Sequence, residues 1–145
     1  MGYTHYWTFN SRASKKAYQR ALVDCAKIVK ESPVLLAGWD STGGPDLDRQ
    51  VHFNGCHDAG HEDFWLRSSI GETKGERLPG VESGFNFCKT ARKPYDVVVV
   101  ACLCVLKDCL GRGVRVSSDG GRDDWGDGAH LASRILGREI ENPIK

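Results

Sequence analysis

The stretch Pro94-Tyr95-Asp96-Val97-Val98-Val99-Val100-Ala101-Cys102-Leu103-Cys104-Val105-Leu106-Lys107-Asp108-Cys109-Leu110-Gly111 decides how this chain folds. Its β-branched run suits a strand. Its length, a Pro at a first-turn position, Asp96 where it complements a helix dipole and Gly111 as a stop suit a buried helix. We read it as a helix.

The neighbours follow from that choice. Upstream, Phe85-Asn86-Phe87-Cys88 alternates as a strand does, and Thr90 to Lys93 links it to the helix. Downstream, Val114 to Ser117 reads as a strand and Ser118-Asp119-Gly120-Gly121 as a turn. Ala129 to Leu136 reads as a closing helix ended by Gly137. At the other end, Tyr3, His5, Trp7 and Phe9 alternate on one face of a strand. Asn10-Ser11 supplies candidate caps for a helix from about Arg12 to Lys30, with Ala17, Ala21, Leu22, Cys25 and Ile28 or Val29 at helical spacing. Between them, Val34 to Gly38, Arg49 to Asn54 and His61 to Leu66 read as short strands. Asn54-Gly55 reads as a candidate tight turn and Ser68 to Ser83 as a mobile loop. The expected product is one α+β domain over residues 1–145. It has a mainly antiparallel sheet, two longer helices packed on one face and a short C-terminal helix.

Composition narrows the function classes. Twenty Lys plus Arg stand against nineteen Asp plus Glu, a formal net charge of +1, which argues against a protein that coats bulk nucleic acid. No apolar run is long enough for a membrane span, and the first residues lack a signal-peptide pattern. The expected location is therefore cytoplasmic. The six cysteines, three of them inside the apolar segment, read as reduced and mostly structural. Cys88, close to Lys89 and Arg92, is a candidate for a lowered thiol pKa. Phosphate-loop, dinucleotide-binding, nucleophile-elbow and zinc-protease motifs are missing, and no cofactor is expected.

Four constellations carry chemistry. The first is Lys89-Thr90-Ala91-Arg92-Lys93-Pro94-Tyr95, where cations, a hydroxyl and helix-start amides suit an anion such as phosphate. The plainer reading is a solvated basic turn. The second is Asn54 to Asp63, where Cys56, His57 and His61 are types that bind zinc, at spacings that fit no closed motif. His61 or His57 with Glu62 could instead act as general acid and base. The third is the set of loop tryptophans Trp39, Trp65 and Trp125, which could stack on a base, each more simply a lid on the core. The fourth is the Asp- and Gly-rich run from Ser117 to Gly128. There Asp119, with Asn54, is a candidate for sugar hydroxyls, against the plainer reading of a solvated turn.

The chain also resembles a family of small proteins found mostly in phage and prophage genomes. The likeness is carried by Met1-Gly2-Tyr3-Thr4-His5-Tyr6-Trp7, Phe53-Asn54-Gly55, Phe87-Cys88-Lys89-Thr90-Ala91-Arg92-Lys93-Pro94-Tyr95-Asp96 and Ser117-Ser118-Asp119-Gly120. The resemblance implies a protein acting in the cytosol of a bacterial cell and brings no activity or catalytic residues with it. By analogy with small phage accessory factors, it suggests a role in blocking host defence.

Three readings follow. In the first, the protein captures a small anionic ligand, a nucleotide or nucleotide-derived signal, as an anti-defence sponge. Lys89, Thr90, Arg92, Lys93 and Tyr95 hold the phosphate. Trp39, Trp65 and Trp125 surround the base, Asn54 and Asp119 meet the sugar, and a homo-oligomer is expected. In the second, it is a hydrolase on a phosphorylated nucleotide-like substrate, with His61 or His57 as base and Glu62 to orient it. In the third, it inhibits a host protein by surface contact.

Overall fold

The computed structural model describes residues 2–69 and 84–145. The expected mobile loop therefore falls, from residue 70 onward, outside the described residues. The ambiguous stretch is a helix, α2, Asp96–Leu110. Magnitudes explain why it wins over a strand. Its five valines each carry a helix-propensity penalty of roughly 0.6 kcal/mol, about 3 kcal/mol together. Ten of its side chains are buried, and burial contributes roughly 1.5–3 kcal/mol for each large one. Gly111 ends the helix with φ +51°, and Lys107 Nζ donates to the carbonyls of Gly111 and Val114 at 2.9 Å each.

Among the described residues, six strands and two further helices surround α2. β1 is Thr4–Phe9, α1 Lys15–Lys30, β2 Leu36–Ala37, β3 Val51–Gly55, β4 Phe64–Leu66, β5 Phe85–Lys89, β6 Val114–Ser118 and α3 Arg122–Leu136. α2 packs on both α1 and α3. The α+β class is as expected, with the strands divided between two antiparallel three-stranded sheets, β5-β1-β6 and β2-β3-β4. Trp7 of one sheet meets Phe64 of the other at 5.2 Å, and Phe64 meets Phe53 at 5.3 Å, so both sheets feed one core.

Several local expectations are corrected. α1 begins at Lys15 because Ser14 Oγ, not Asn10 or Ser11, accepts the amide of Ala17. Asn10 instead closes the preceding turn onto the amide of Arg12. Asn54-Gly55 is not a turn, since both residues pair with β2. α3 starts at Arg122 rather than Ala129. Two acidic residues in its first turn and the carboxylate of Asp124 on the amide of Gly121 at 2.8 Å offset the weak propensity of its glycines. The Asp- and Gly-rich loop is therefore largely helix, and Trp125 lies in the core, fully buried.

The α2–α3 contact depends on a glycine. A Cβ at Gly128 would lie 2.3 Å from Val100 Cγ1, whereas one at Gly126, on the same helix, would meet nothing within 4 Å. Alanine favours both positions by about 1 kcal/mol in propensity. Gly128→Ala should nonetheless lower the unfolding free energy by about 1–3 kcal/mol through overpacking. Gly126→Ala should raise it by about 0.5–1 kcal/mol. Urea denaturation of the two variants beside wild type checks the pair.

Candidate functional site

In the first sheet β1 runs antiparallel to both β5 and β6, so those two strands are parallel to each other. Their C-terminal ends meet the N-terminus of β1 at one edge. α2 follows β5 and α3 follows β6, so both helices start there. Strand ends of this kind are where α/β proteins commonly place ligands.

His5 is the centre of this edge. The alternation of β1 points it inward, and it is fully buried. A buried imidazole needs partners. Its Nε2 lies 2.7 Å from Asp96 Oδ1 and its Nδ1 lies 2.8 Å from Ser118 Oγ. Asp96 also accepts the hydroxyl of Thr90 at 2.5 Å, and the amide of Gly120 donates to Ser118 Oγ at 2.9 Å. With Asp96 ionised and the ring neutral, the imidazole proton would lie on Nε2 and Nδ1 would accept from the serine; an imidazolium would instead donate to both. The rings of Tyr3 and Trp125 close over His5 edge-on, each at 5.1 Å. Gly120 lets Tyr3 in, since a Cβ there would lie 2.1 Å from the tyrosine oxygen. Burial, then the carboxylates of Asp96 and Asp124, raise the Tyr3 hydroxyl above its ordinary pKa.

Arg92 stacks over the Tyr3 ring, its Cζ 3.8 Å from the centroid, and reaches Asp124 at 3.2 Å. It is presented by a strained turn. Ala91 and Arg92 have φ of 52° and 57°, a region that costs non-glycine residues about 1 kcal/mol or more each. The amide of Gly121 and the guanidinium of Arg92 hold Asp124 below the ordinary carboxylate range. Asp119 is fixed by the amide of Thr4 and the hydroxyl of Tyr6, at 3.0 and 3.1 Å.

The basic junction does not present a row of unpaired amides. The amides of Thr90 and Ala91 both donate to the Tyr3 carbonyl, that of Lys93 to Thr90 and that of Asp96 to Lys93. Lys93 is half-buried and Lys89 lies along Gly2. Tyr95 is buried, its hydroxyl donating to the Glu62 carbonyl at 2.5 Å. Glu62 accepts the amide of Lys89 at 2.8 Å, which leaves it attached to β5 rather than to a histidine. His57 and His61 are exposed. With Cys56 they form no metal set, and among the described residues no group of three or more His, Cys, Asp and Glu could hold a metal ion.

Asn54 organises the segment that brings Glu62 to this edge. Its Oδ1 accepts the amides of Gly55 and His61, and its Nδ2 donates to the His61 carbonyl and to Asp63. Asp63 in turn holds His52 at 2.7 Å. The tryptophans do not gather round one cavity. Trp125 is core, and Trp39 is 70% exposed on a turn beside the second sheet. Trp65 carries His52 stacked at 4.5 Å and the Arg67 guanidinium at 3.7 Å.

In the sequence His5 is one of four alternating residues (Tyr3, His5, Trp7 and Phe9), Asp96 a dipole partner and Ser118 part of a turn. They lie 91 and 113 positions apart, so no local motif could join them. The available signal was a histidine on a buried strand face, which demands partners without naming them.

No family model matches the chain, and neither a curated protein nor a solved structure matches it.

All six cysteines are free thiols. Cys88 does not have the lowered pKa its basic neighbours suggested. It faces inward, and burial, then the carboxylate of Glu62, push the thiol far above its ordinary value. Burial also lifts Cys25, and raises Cys104 to about 12. Partly exposed Cys56 and Cys109 remain, and burial with Asp24 raises the latter. Because the thiolate is the reactive form, a disulfide reagent at mildly alkaline pH should modify Cys56 first and Cys109 more slowly. Cys25, Cys88, Cys102 and Cys104 should react only on unfolding. Mass mapping of the modified residues checks the order.

Proposed function

We propose that the protein is a hydrolase or group-transfer enzyme whose nucleophile is Ser118. One observation carries the reading: the ordered relay Gly120 amide, Ser118 hydroxyl, His5 imidazole, Asp96 carboxylate, with successive distances of 2.9, 2.8 and 2.7 Å. The spacing suits a serine nucleophile, a base and an orienting carboxylate, with the two imidazole nitrogens used in the reverse sense from the serine-protease template. Ser118 Oγ attacks the carbon or phosphorus of an ester. Its proton passes to His5 Nδ1, and the resulting imidazolium faces Asp96. That proton then leaves with the departing alcohol, and water releases the acyl or phosphoryl group by the reverse path. Arg122 and Asp123, in the first turn of α3, have amides without intrahelical acceptors close to Ser118 in sequence, a source of oxyanion donors.

Charge supports turnover over simple capture. Lys89, Arg92, Lys93 and Arg122 at this edge stand against Glu62, Asp96, Asp119, Asp123 and Asp124. The balance gives no bulk attraction for an anion, so what distinguishes the edge is an oriented hydroxyl. The substrate proposed is a small polar ester. An anionic, nucleotide-like one would be held by Arg92, whose side chain is 60% exposed and free to exchange Asp124 for a phosphate.

The stacked Arg92 on its strained turn favours a second reading, capture of a nucleotide-like anion without cleavage. It would make the protein a sponge of the kind phage accessory factors provide, in a bacterial cytosol.

A fluorophosphonate probe with peptide mapping tests the first reading. Wild type should be labelled on Ser118, and Ser118→Ala should lose the label while keeping a native circular-dichroism spectrum, with a lower melting temperature because His5 Nδ1 loses its partner. Asp96→Asn should slow labelling by roughly 10⁴-fold and His5→Gln by roughly 10⁶-fold, as in other serine triads. A folded wild type that takes no label and turns over no carboxylic or phosphate ester would contradict it. Calorimetry with cyclic dinucleotides and ADP-ribose derivatives then decides the second reading. Heat that Arg92→Ala abolishes supports capture, and no heat removes it.

A further inference from the structure

The opposite face of the first sheet carries a different set of side chains. The register places eight residues outward, Lys89 with Thr4, Phe87 with Tyr6 and Ser117, and Phe85 with Thr8 and Arg115, and Asp119, just past β6, sits beside Thr4. Phe87 is 56% and Phe85 36% exposed, unusual for phenylalanine on a sheet. The rings form a continuous group. Phe85 and Tyr6 are near-parallel at 6.3 Å and 23°, and Phe85 and Phe87 lie 6.0 Å apart. Tyr6, Thr8, Phe85, Arg115 and Ser117 line a shallow cavity of about 220 Å³, smaller than the roughly 300 Å³ at which enclosed ligand pockets begin. The face is built for contact with flat groups at the surface.

We propose that this face is a stacking surface for a short stretch of single-stranded nucleic acid, two or three nucleotides long. Bases stack on Phe85, Phe87 and Tyr6, because every base offers a π-face to an aromatic ring. Arg115 and Lys89, at opposite corners of the array, meet the phosphates. The one carboxylate on the face, Asp119, is held by Thr4 and Tyr6. Thr8 and Ser117 add hydroxyls that suit a sugar. An open antiparallel sheet backed by helices and bearing two or three exposed aromatics is a known solution for single-strand recognition. A protein partner fits less well. The third strand of the face and the residue just past it supply Arg115, Ser117 and Asp119, whereas the buried centre of a stable interface is depleted of charge. The near-zero net charge limits the contact to this patch and keeps it compatible with a chain that does not coat nucleic acid. The surface lies across the sheet from His5, so its test is independent of Ser118.

Fluorescence anisotropy with labelled oligouridylate and oligothymidylate, at low and at physiological salt, measures it. Both oligomers should bind, with a log–log salt slope of about −1.4 for two phosphate contacts. Phe87→Ala, at an exposed position, should keep the wild-type melting temperature and weaken binding roughly 5- to 100-fold. Arg115→Gln should weaken it less and make the slope shallower by about 0.7. The proposal is overturned if neither oligomer changes the anisotropy at low salt, or if Phe87→Ala and Arg115→Gln both bind as wild type does. It is also overturned if light scattering shows a dimer that Phe87→Ala converts to monomer.

Discussion

A single buried imidazole holds together one end of this molecule. His5 sits on β1 with no solvent contact, so each ring nitrogen must find a partner inside the protein. One partner comes from the first turn of α2 and the other from the last residue of β6. Removing one partner of a buried hydrogen bond costs about 1–3 kcal/mol, because the other is left unsatisfied. That is a sizeable fraction of the stability of a small domain. The network therefore dictates where α2 begins relative to the sheet. Through Ser118 and Gly120 it also dictates how β6 hands over to α3.

The chemistry of the edge follows from the same constraint. In the proposed reaction, locking the imidazole between a carboxylate and a hydroxyl would give the serine a base that needs no reorganisation, as nucleophilic catalysis requires. The strained Ala91–Arg92 turn and the stack of Arg92 on Tyr3 sit at the rim of this network. Strain of that kind persists only where surrounding contacts over-determine it. Asn54 shapes the turn that brings Glu62 onto β5.

Much of the architecture was legible because it rests on local patterns. The alternation of Tyr3 to Phe9 gave both the strand and its buried face. The capped apolar stretch from Asp96 gave a helix in spite of its valines. Misreadings arose where tertiary packing outweighed local chemistry. The glycines and aspartates of residues 122–128 signal a loop, yet close contact between Gly128 and Val100 and the burial of Trp125 make them helix. The candidate site was half legible. Lys89, Thr90, Arg92 and Asp119 do gather at one edge, but Trp39, Trp65 and Trp125 do not join them. The proposed catalytic group, His5 with Asp96 and Ser118, depends on contacts across more than ninety residues, and no short motif encodes those.

The protonation pattern of His5 tests the central claim most directly. A long-range proton–nitrogen NMR correlation of the histidine side chains, assigned with His5→Gln, reads which ring nitrogen carries the proton at neutral pH. The relay requires a neutral ring with the proton on Nε2, donated to Asp96, and a bare Nδ1 facing Ser118. A proton on Nδ1, in either the other neutral tautomer or the imidazolium, would mean that His5 donates to the serine instead of activating it.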